Sequence, residues 1–264
     1  MEINLVDIKT KDFKSLNLSF SQGKIHTLIG SNNSEINNLM ELVSCNKKID
    51  DGVVEINGNK INYNVINEEL SKLKEQIFYI NEKQQILFNV NILEDFKYYI
   101  KDFSLEKIYE LLDLFGLEHN ICQKSYFELS SSEIKKILLI IGIMVSNKIL
   151  IIENPTSKLD YKSVQTLIKQ LKKLKRENKI IILTSYNTDF LIEISDSVIV
   201  LDKNKIIEQG DKYKIFSNEK ILNKLNIKVP NIIKFINVVK AKNIKINNID
   251  NINDLIKEVY RNAK

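Results

Sequence analysis

The chain has no tryptophan, only two prolines and two cysteines, and seven glycines in 264 residues. Two thiols far apart, Cys45 and Cys122, exclude a disulfide-stapled small fold and offer no metal-ligand spacing. No apolar run approaches the roughly 18 residues of a membrane-spanning helix; the longest, Ile137 to Val145, is far shorter. No block of one charge exists either. Thirty-nine basic residues are interspersed with 34 acidic ones for a net charge of +5, so no nucleic-acid partner is expected. The heavy use of Ile, Asn and Lys fits an AT-rich genome and needs no basic ligand. The opening from Met1 to Phe13 lacks the basic, apolar, small-residue order of a secretory signal, and a cytoplasmic setting is expected.

What is present is a globular composition, 44% hydrophobic and 28% charged, in which short β-like runs alternate with helical stripes. Glu2 to Ile8, Leu16 to Phe20, Ile25 to Ile29 and Val53 to Ile56 read as strands, the last closed by a turn at Asn57-Gly58. Ile36, Leu39, Met40 and Val43 repeat at helical spacing, which predicts a helix over Ser34 to Val43. Residues 87–147 read mainly as helix, with Ile108, Leu111, Leu112 and Phe115 on one stripe and Gly116 as its C-terminal stop. The apolar runs Ile149 to Ile152 and Ile180 to Leu183 flank an amphipathic segment, Ser163 to Lys175, as in a parallel crossover within a buried sheet. A strand at Ser197 to Leu201 and another at Ile206 to Glu208 follow, and short helices fill the end. The expected division is a domain over 1–213, with a helical part at about 87–147, and a small C-terminal extension over 214–264.

Three segments bear on chemistry. The strand His26 to Ile29 leads into Gly30, Ser31, Asn32, Asn33, Ser34, Glu35, Ile36, Asn37 and Asn38. A phosphate loop needs Gly, four residues, Gly, Lys and Ser or Thr here, because backbone N–H groups and the lysine cradle the anion at a helix N-terminus. Glu35, Ile36 and Asn37 hold the last three places, and alone the stretch reads as an ordinary strand-to-helix turn. Ser130, Ser131, Ser132 and Glu133, after Phe127-Glu128-Leu129, alone read as a serine helix cap. The third segment is an apolar strand ending in Glu153 and followed by Asn154-Pro155-Thr156-Ser157-Lys158-Leu159-Asp160.

That third segment resembles the Walker B and D-loop of ATP-binding cassettes, a strand ending in Asp-Glu-Pro-Thr-Ser-x-Leu-Asp. The resemblance gives the other two segments meaning, as Walker A and as the Leu-Ser-Gly-Gly-Gln signature. Ile77 to Glu82 resembles the strand ending in the Q-loop, with Glu82 in place of Gln. Ile180 to Ser185 resembles the switch strand, with Tyr186 in place of His; Phe13 is a weak match to the adenine-stacking aromatic. Gln85 to Phe88, Ile92 to Asp95, Gly142 to Met144, Tyr213 to Ser217, Val229-Pro230 and Ile252 to Val259 follow the phrasing of the ATP-binding subunits of energy-coupling-factor transporters. The resemblance covers nearly the whole chain.

The resemblance implies an α/β, P-loop NTPase-like ABC cassette with a mixed sheet, a helical subdomain and a C-terminal helical extension. It further implies ATP and Mg²⁺ as cofactors, a second cassette subunit and a transmembrane scaffold as partners, and a peripheral place on the inner membrane face. Asn154, Tyr186 and Glu82 fall at catalytic positions, Gly30 to Asn38 and Ser130 to Glu133 at ATP positions, and Asn37, Glu82 and Glu153 at metal positions. The substitutions oppose that chemistry. A phosphate-binding lysine makes charge-assisted hydrogen bonds of about 1.5–3 kcal/mol each, and Ile36 makes none. A carboxylate brought to about 4 Å from phosphate, at an effective dielectric near 20, is repelled by roughly 4 kcal/mol per charge pair. Asn154 cannot accept the proton a general base takes. The expected function is a degenerate, non-catalytic or regulatory cassette subunit. A low-activity ATPase for vitamin or metal uptake, a soluble non-transport binding module and a decaying gene product stay open.

Overall fold

Unbroken runs of Ile, Leu and Val satisfy their side chains only in strands covered on both faces, and such strands form the centre of the molecule. The computed structural model describes residues 1–31, 33–61, 68–82, 90–242, 246–247 and 249–262, with backbone alone at 33, 34, 259 and 262. Its central sheet has six described strands: β3 (Lys24–Gly30), β6 (Ile77–Ile80), β7 (Ile149–Glu153), β8 (Ile180–Thr184), β9 (Ser197–Asp202) and β10 (Lys205–Asp211). Their order is β10-β9-β3-β8-β7-β6. All neighbours are parallel except β10, which turns back antiparallel on β9. A second, antiparallel sheet joins β1 (Glu2–Lys9), β2 (Leu16–Ser21), β4 (Asp51–Ile56) and β5 (Asn59–Ile61) in the order β2-β1-β4-β5.

The two-residue period of a strand divides the core. On β7, Leu150 and Ile152 face one cluster while Ile149 and Ile151 face the other. The first cluster packs under α3 (Ile92–Tyr99), α4 (Leu105–Phe115), α5 (Ser131–Met144) and α6 (Tyr161–Arg176); the second lies against α1 (Asn33–Val43), α2 (Glu68–Glu75) and the antiparallel sheet. Gly116 ends α4 in the left-handed conformation, φ +69°, returning its N–H to Asp113 and Leu112 carbonyls. The parallel strands end at one edge, where β3, β7 and β8 deliver Gly30, Glu153 and Thr184 beside the start of α1 and α5. Such an edge is where open α/β sheets hold ligands.

Some elements differ from the sequence reading. β5 and α2 escaped it, because Asn59–Ile61 is too short and Glu68–Glu75 too polar to show a clear period. α1 begins at Asn33, one residue earlier than expected, and β10 runs on to Asp211 because it pairs with all of β9. The expected boundary at 213/214 falls inside α8 (Lys212–Phe216). Ile215 and Phe216 enter the first core cluster together with Leu222 of α9 (Glu219–Lys224) and Ile233 of α10 (Asn231–Ala241). Ile236 of α10, Ile249 and Leu255 of α11 (Ile252–Asn262) form a small cluster of their own.

Two outcomes follow for stability. Ile151→Ala, in a fully buried strand position, lowers unfolding free energy by about 2–5 kcal/mol, read as a lower urea midpoint at unchanged m. His26 is buried and accepts the Ser21 N–H at Nε2, 3.1 Å; burial pushes its pKa down. The unfolded chain therefore binds the proton first, so stability is complete above about pH 6.5 and declines as pH falls below it. His26→Leu flattens that slope in denaturant titrations at successive pH values.

Candidate functional site

The loop after β3 is set by close backbone approach. A Cβ at Gly30 would stand 2.8 Å from the Leu201 carbonyl oxygen, so only glycine lets β3 leave the sheet beside β9. The next residue, Ser31, donates its hydroxyl to Asp202 Oδ1 at 3.2 Å. Asn32 lies outside the described residues, as do the side chains of Asn33 and Ser34. The turn from β9 to β10 comes back over the first turn of α1, and Glu35 accepts the Asn204 N–H on Oε2 at 3.0 Å. Lys203 and Asn204 both take left-handed φ, +50° and +58°, which aims that N–H at the carboxylate. Ile36, 5% exposed, packs in the core with Leu28, Leu39 and Met40. Asn37 is half-buried, and Asn38 accepts from Lys47 at 3.1 Å.

The end of β7 forms a second, tighter group. Glu153 is 5% exposed; its carboxylate accepts the Tyr79 hydroxyl and, at 3.2 Å, the Glu82 backbone N–H. Burial, then this hydrogen bond, raises the Tyr79 pKa well above the phenol range. Lys135 of α5 reaches under the strand to the Glu153 carbonyl oxygen, 3.0 Å away. Its own burial pushes its pKa down to about 8, opposed by the negative charges of Glu82 and Glu153. Asn154 follows at φ +42° with its N–H on the Thr184 carbonyl, 2.9 Å. Tyr186 is 65% exposed, and partial burial followed by the negative charge of Glu82 raises its pKa.

The serine segment is a capping box. Ser130 Oγ accepts the Glu133 N–H at 3.2 Å, while the Glu133 carboxylate turns back to the Ser130 N–H at 2.7 Å. Both groups are thereby engaged with the start of α5. Ser131 is exposed and Ser132 half-buried. One helical turn on, Lys136 meets Asp160 at 2.9 Å, and Asp160 caps α6 by accepting the Ser163 N–H at 2.8 Å. These contacts, the Ser163 N–H first, hold the Asp160 carboxyl well below the usual carboxylate range. The signature and D-loop segments are thus joined by an ion pair.

Comparison with known proteins decides the family. A profile of the ABC transporter family matches residues 13–157, more than half of the chain. The chain belongs to the ABC transporter family. It is 27% identical over 239 residues to the energy-coupling factor transporter ATP-binding protein of Staphylococcus epidermidis, covering 87% of this chain and 83% of that protein. The solved ATP-binding subunit of an ABC transporter superposes with a TM-score of 0.73 at 16% identity, over 87% of this chain and 99% of the other. The cbiO1 structure from Clostridium perfringens gives 0.66 at 21% identity, over 89% and 98%. At these identities the structures show the fold alone: a P-loop NTPase cassette with a mixed sheet.

In this ABC family member the structure brings Glu82, Glu153, Asn154 and Tyr186 together, and sets Gly30, Ser31 and Glu35 to Asn38 at the same sheet edge. Among the described residues no hydrogen bond joins Asn37 to either carboxylate, and no three His, Cys, Asp or Glu side chains converge on one point. Phe13 is fully buried in the second core cluster, so its ring has no free face for a base to stack on. The sequence reading missed Lys135 and Tyr79, which carry no motif letter and matter only because α5 and β6 flank β7. It also missed the hold of Asn204 on Glu35, which joins positions far apart in the chain.

Glu35→Ala removes a charged acceptor from a backbone donor, a hydrogen bond of about 1.5–3 kcal/mol. Hydrogen exchange at the Asn204 amide should quicken by at least tenfold while the amides of β7 stay protected. Asp160→Asn keeps the α6 cap but loses the Lys136 pair, and leaves Lys136 buried without its partner. The expected result is a lower Tm than wild type, and a larger drop than for Lys162→Gln on the exposed face of α6.

Proposed function

We propose that this chain is a nucleotide-silent subunit of an energy-coupling-factor type ABC importer, the non-catalytic or regulatory half of a cassette pair held beneath a membrane scaffold. The observation that carries the reading is the first turn of α1. Where the family's P-loop lysine belongs, Ile36 is part of the hydrophobic core, and where its second glycine belongs, Glu35 is tied by its carboxylate to the β9–β10 turn. Restoring a phosphate cradle would require pulling a packed side chain out of the core and breaking that tie. The residues present do not fit Mg²⁺–ATP.

The rest of the edge supports the same reading. Asn154 carries a side-chain amide, which cannot take a proton as a general base does. Ser130 and Glu133 are spent on capping α5, and Glu133 would meet an incoming triphosphate with its charge. The positions Gly30 to Asn38, Ser130 to Glu133, Asn154, Tyr186, Glu82, Asn37 and Glu153 therefore mark where the family handles ATP and Mg²⁺, and are read here as vestigial. What survives is the frame: the capped α5 and α6, the D-loop ion pair and the sheet.

A partner cassette and a membrane subunit fit that surviving frame. The S. epidermidis relative is an energy-coupling factor transporter protein, and cbiO1 is described as part of an ABC transporter complex. The surface near α3 is the proposed contact with the scaffold. Tyr98 and Val90 are exposed there and Phe96 is core; residues 83–89, including Phe88, lie outside the described residues. Among the described residues no helix is long and apolar enough to cross a membrane. Peripheral attachment to the inner membrane face through a scaffold is the corresponding proposal, with no nucleic acid involved.

The test is calorimetry and turnover on the full chain. The expected outcome is no saturable ATP binding with or without Mg²⁺, no ATPase above background, and copurification with a cassette of intact motifs. Robust turnover by the isolated chain would replace this reading with the low-activity ATPase.

A further inference from the structure

The loop before β2 and the turn from β9 to β10 both line a cleft of about 540 Å³. Lys14 and Ser15 come from that loop, Asn17 from β2, and Lys203, Lys205 and Ile206 from the turn and the start of β10. Both strands are edges. β2 ends the antiparallel sheet and β10 ends the central one, so among the described residues each is paired on one side only. An edge strand keeps a row of backbone N–H and C=O groups outside the ladder, and an added extended chain can pair with them. Along β10 exposed and half-buried residues alternate from Lys205 to Asp211, so neither of its faces is covered. Charge selects the kind of chain. Lys14, Lys203 and Lys205 are exposed, and among the described residues none of them has an ion-pair partner. Asp12, the acidic residue in the lining, is paired with Lys47. Three unpaired ammonium groups around one cleft attract a negative ligand. The side-chain oxygen of Asn204, in the same lining, has no hydrogen-bond partner among the described residues. An inorganic anion is a poor source of the donor it needs, whereas a peptide carries backbone N–H groups along its length.

We propose that this cleft docks an acidic, extended peptide segment of a partner protein, added as a strand to the free edge of β10. The carboxylates of the segment meet Lys14, Lys203 and Lys205, and the Asn204 amide turns into the cleft to accept a peptide N–H. The hold of Glu35 on the Asn204 backbone N–H fixes the turn that carries two of these lysines, so their charges are in place before binding. The cleft contains none of the residues read as ATP or Mg²⁺ positions. The inference therefore goes beyond the nucleotide reading and does not depend on it.

The experiment titrates a fluorescently labelled octapeptide of alternating Glu and Val with the full chain in nucleotide-free buffer and reads anisotropy. Saturable binding is expected. The double variant Lys203→Glu with Lys205→Glu should weaken it roughly tenfold, while Lys162→Glu, a charge reversal on the exposed face of α6, should leave it unchanged. If the double variant does not fold, Lys14→Glu takes its place with the same expected direction. A fully N-methylated form of the peptide keeps the charge and loses every backbone donor, and should bind about tenfold more weakly or not at all. Amide exchange within Lys205–Asp211 should slow when the unmethylated peptide is bound. Absence of saturable binding would overturn the proposal, as would equal binding of the two peptides or unchanged exchange in β10. Displacement of the peptide by an equal concentration of inorganic phosphate would also overturn it, and would make the cleft a simple anion site. With nucleotide absent throughout, failure here leaves the nucleotide reading standing, and ATP binding found by calorimetry would count against that reading without touching this one.

Discussion

The structure depends on a line of parallel strands buried on both faces, whose ends must all be closed at one edge. Polar groups delivered there need partners, because the strands behind them are mostly apolar and buried from water. In a nucleotide-binding cassette phosphate and metal provide much of that closure. In this chain the closure is internal: Glu35 takes the Asn204 N–H, Ser31 takes Asp202, Glu153 takes Tyr79 and Glu82, and Lys135 takes the Glu153 carbonyl. Among the motif substitutions, Glu35 takes a partner from within the protein and Ile36 joins the core.

That consistency bears on whether the chain is merely decayed. A decaying P-loop would leave charges stranded and helix starts uncapped. Here the start of α5 carries a complete capping box, α6 is capped by Asp160, and Asp160 also holds Lys136 across the two segments. Asp202 extends the arrangement toward the C-terminal helices, lying 3.9 Å from Lys224 of α9 while it accepts from Ser31. The loop that should respond to phosphate is connected to the body of the protein instead.

Much of the fold was legible from local pattern. Strands of the central sheet appear as continuous apolar runs, α4 as a stripe with a glycine stop, and the Walker B segment as a run ending in an acid before Pro155-Thr156. The antiparallel pairing of β10, the brief β5 and the polar α2 were less legible because their stability comes from neighbours rather than from their own period. Phe13, only a weak match to the adenine-stacking aromatic, is buried: a sequence shows that an aromatic is present but not which side of it is covered.

The sequence alone determined the order of most elements, through periodicity, and, through the resemblance of its motifs, which family letters are replaced by other residues. Only tertiary structure decided what the replacement residues do. Ile36 becomes core because α1 lies against the second cluster, Glu35 finds a donor because a turn more than 160 residues later folds over it, and Lys135 becomes a buried charge because α5 passes beneath β7. Electrostatics and packing act over distance in space, and the chain brings those distances to a few ångströms only once it is folded.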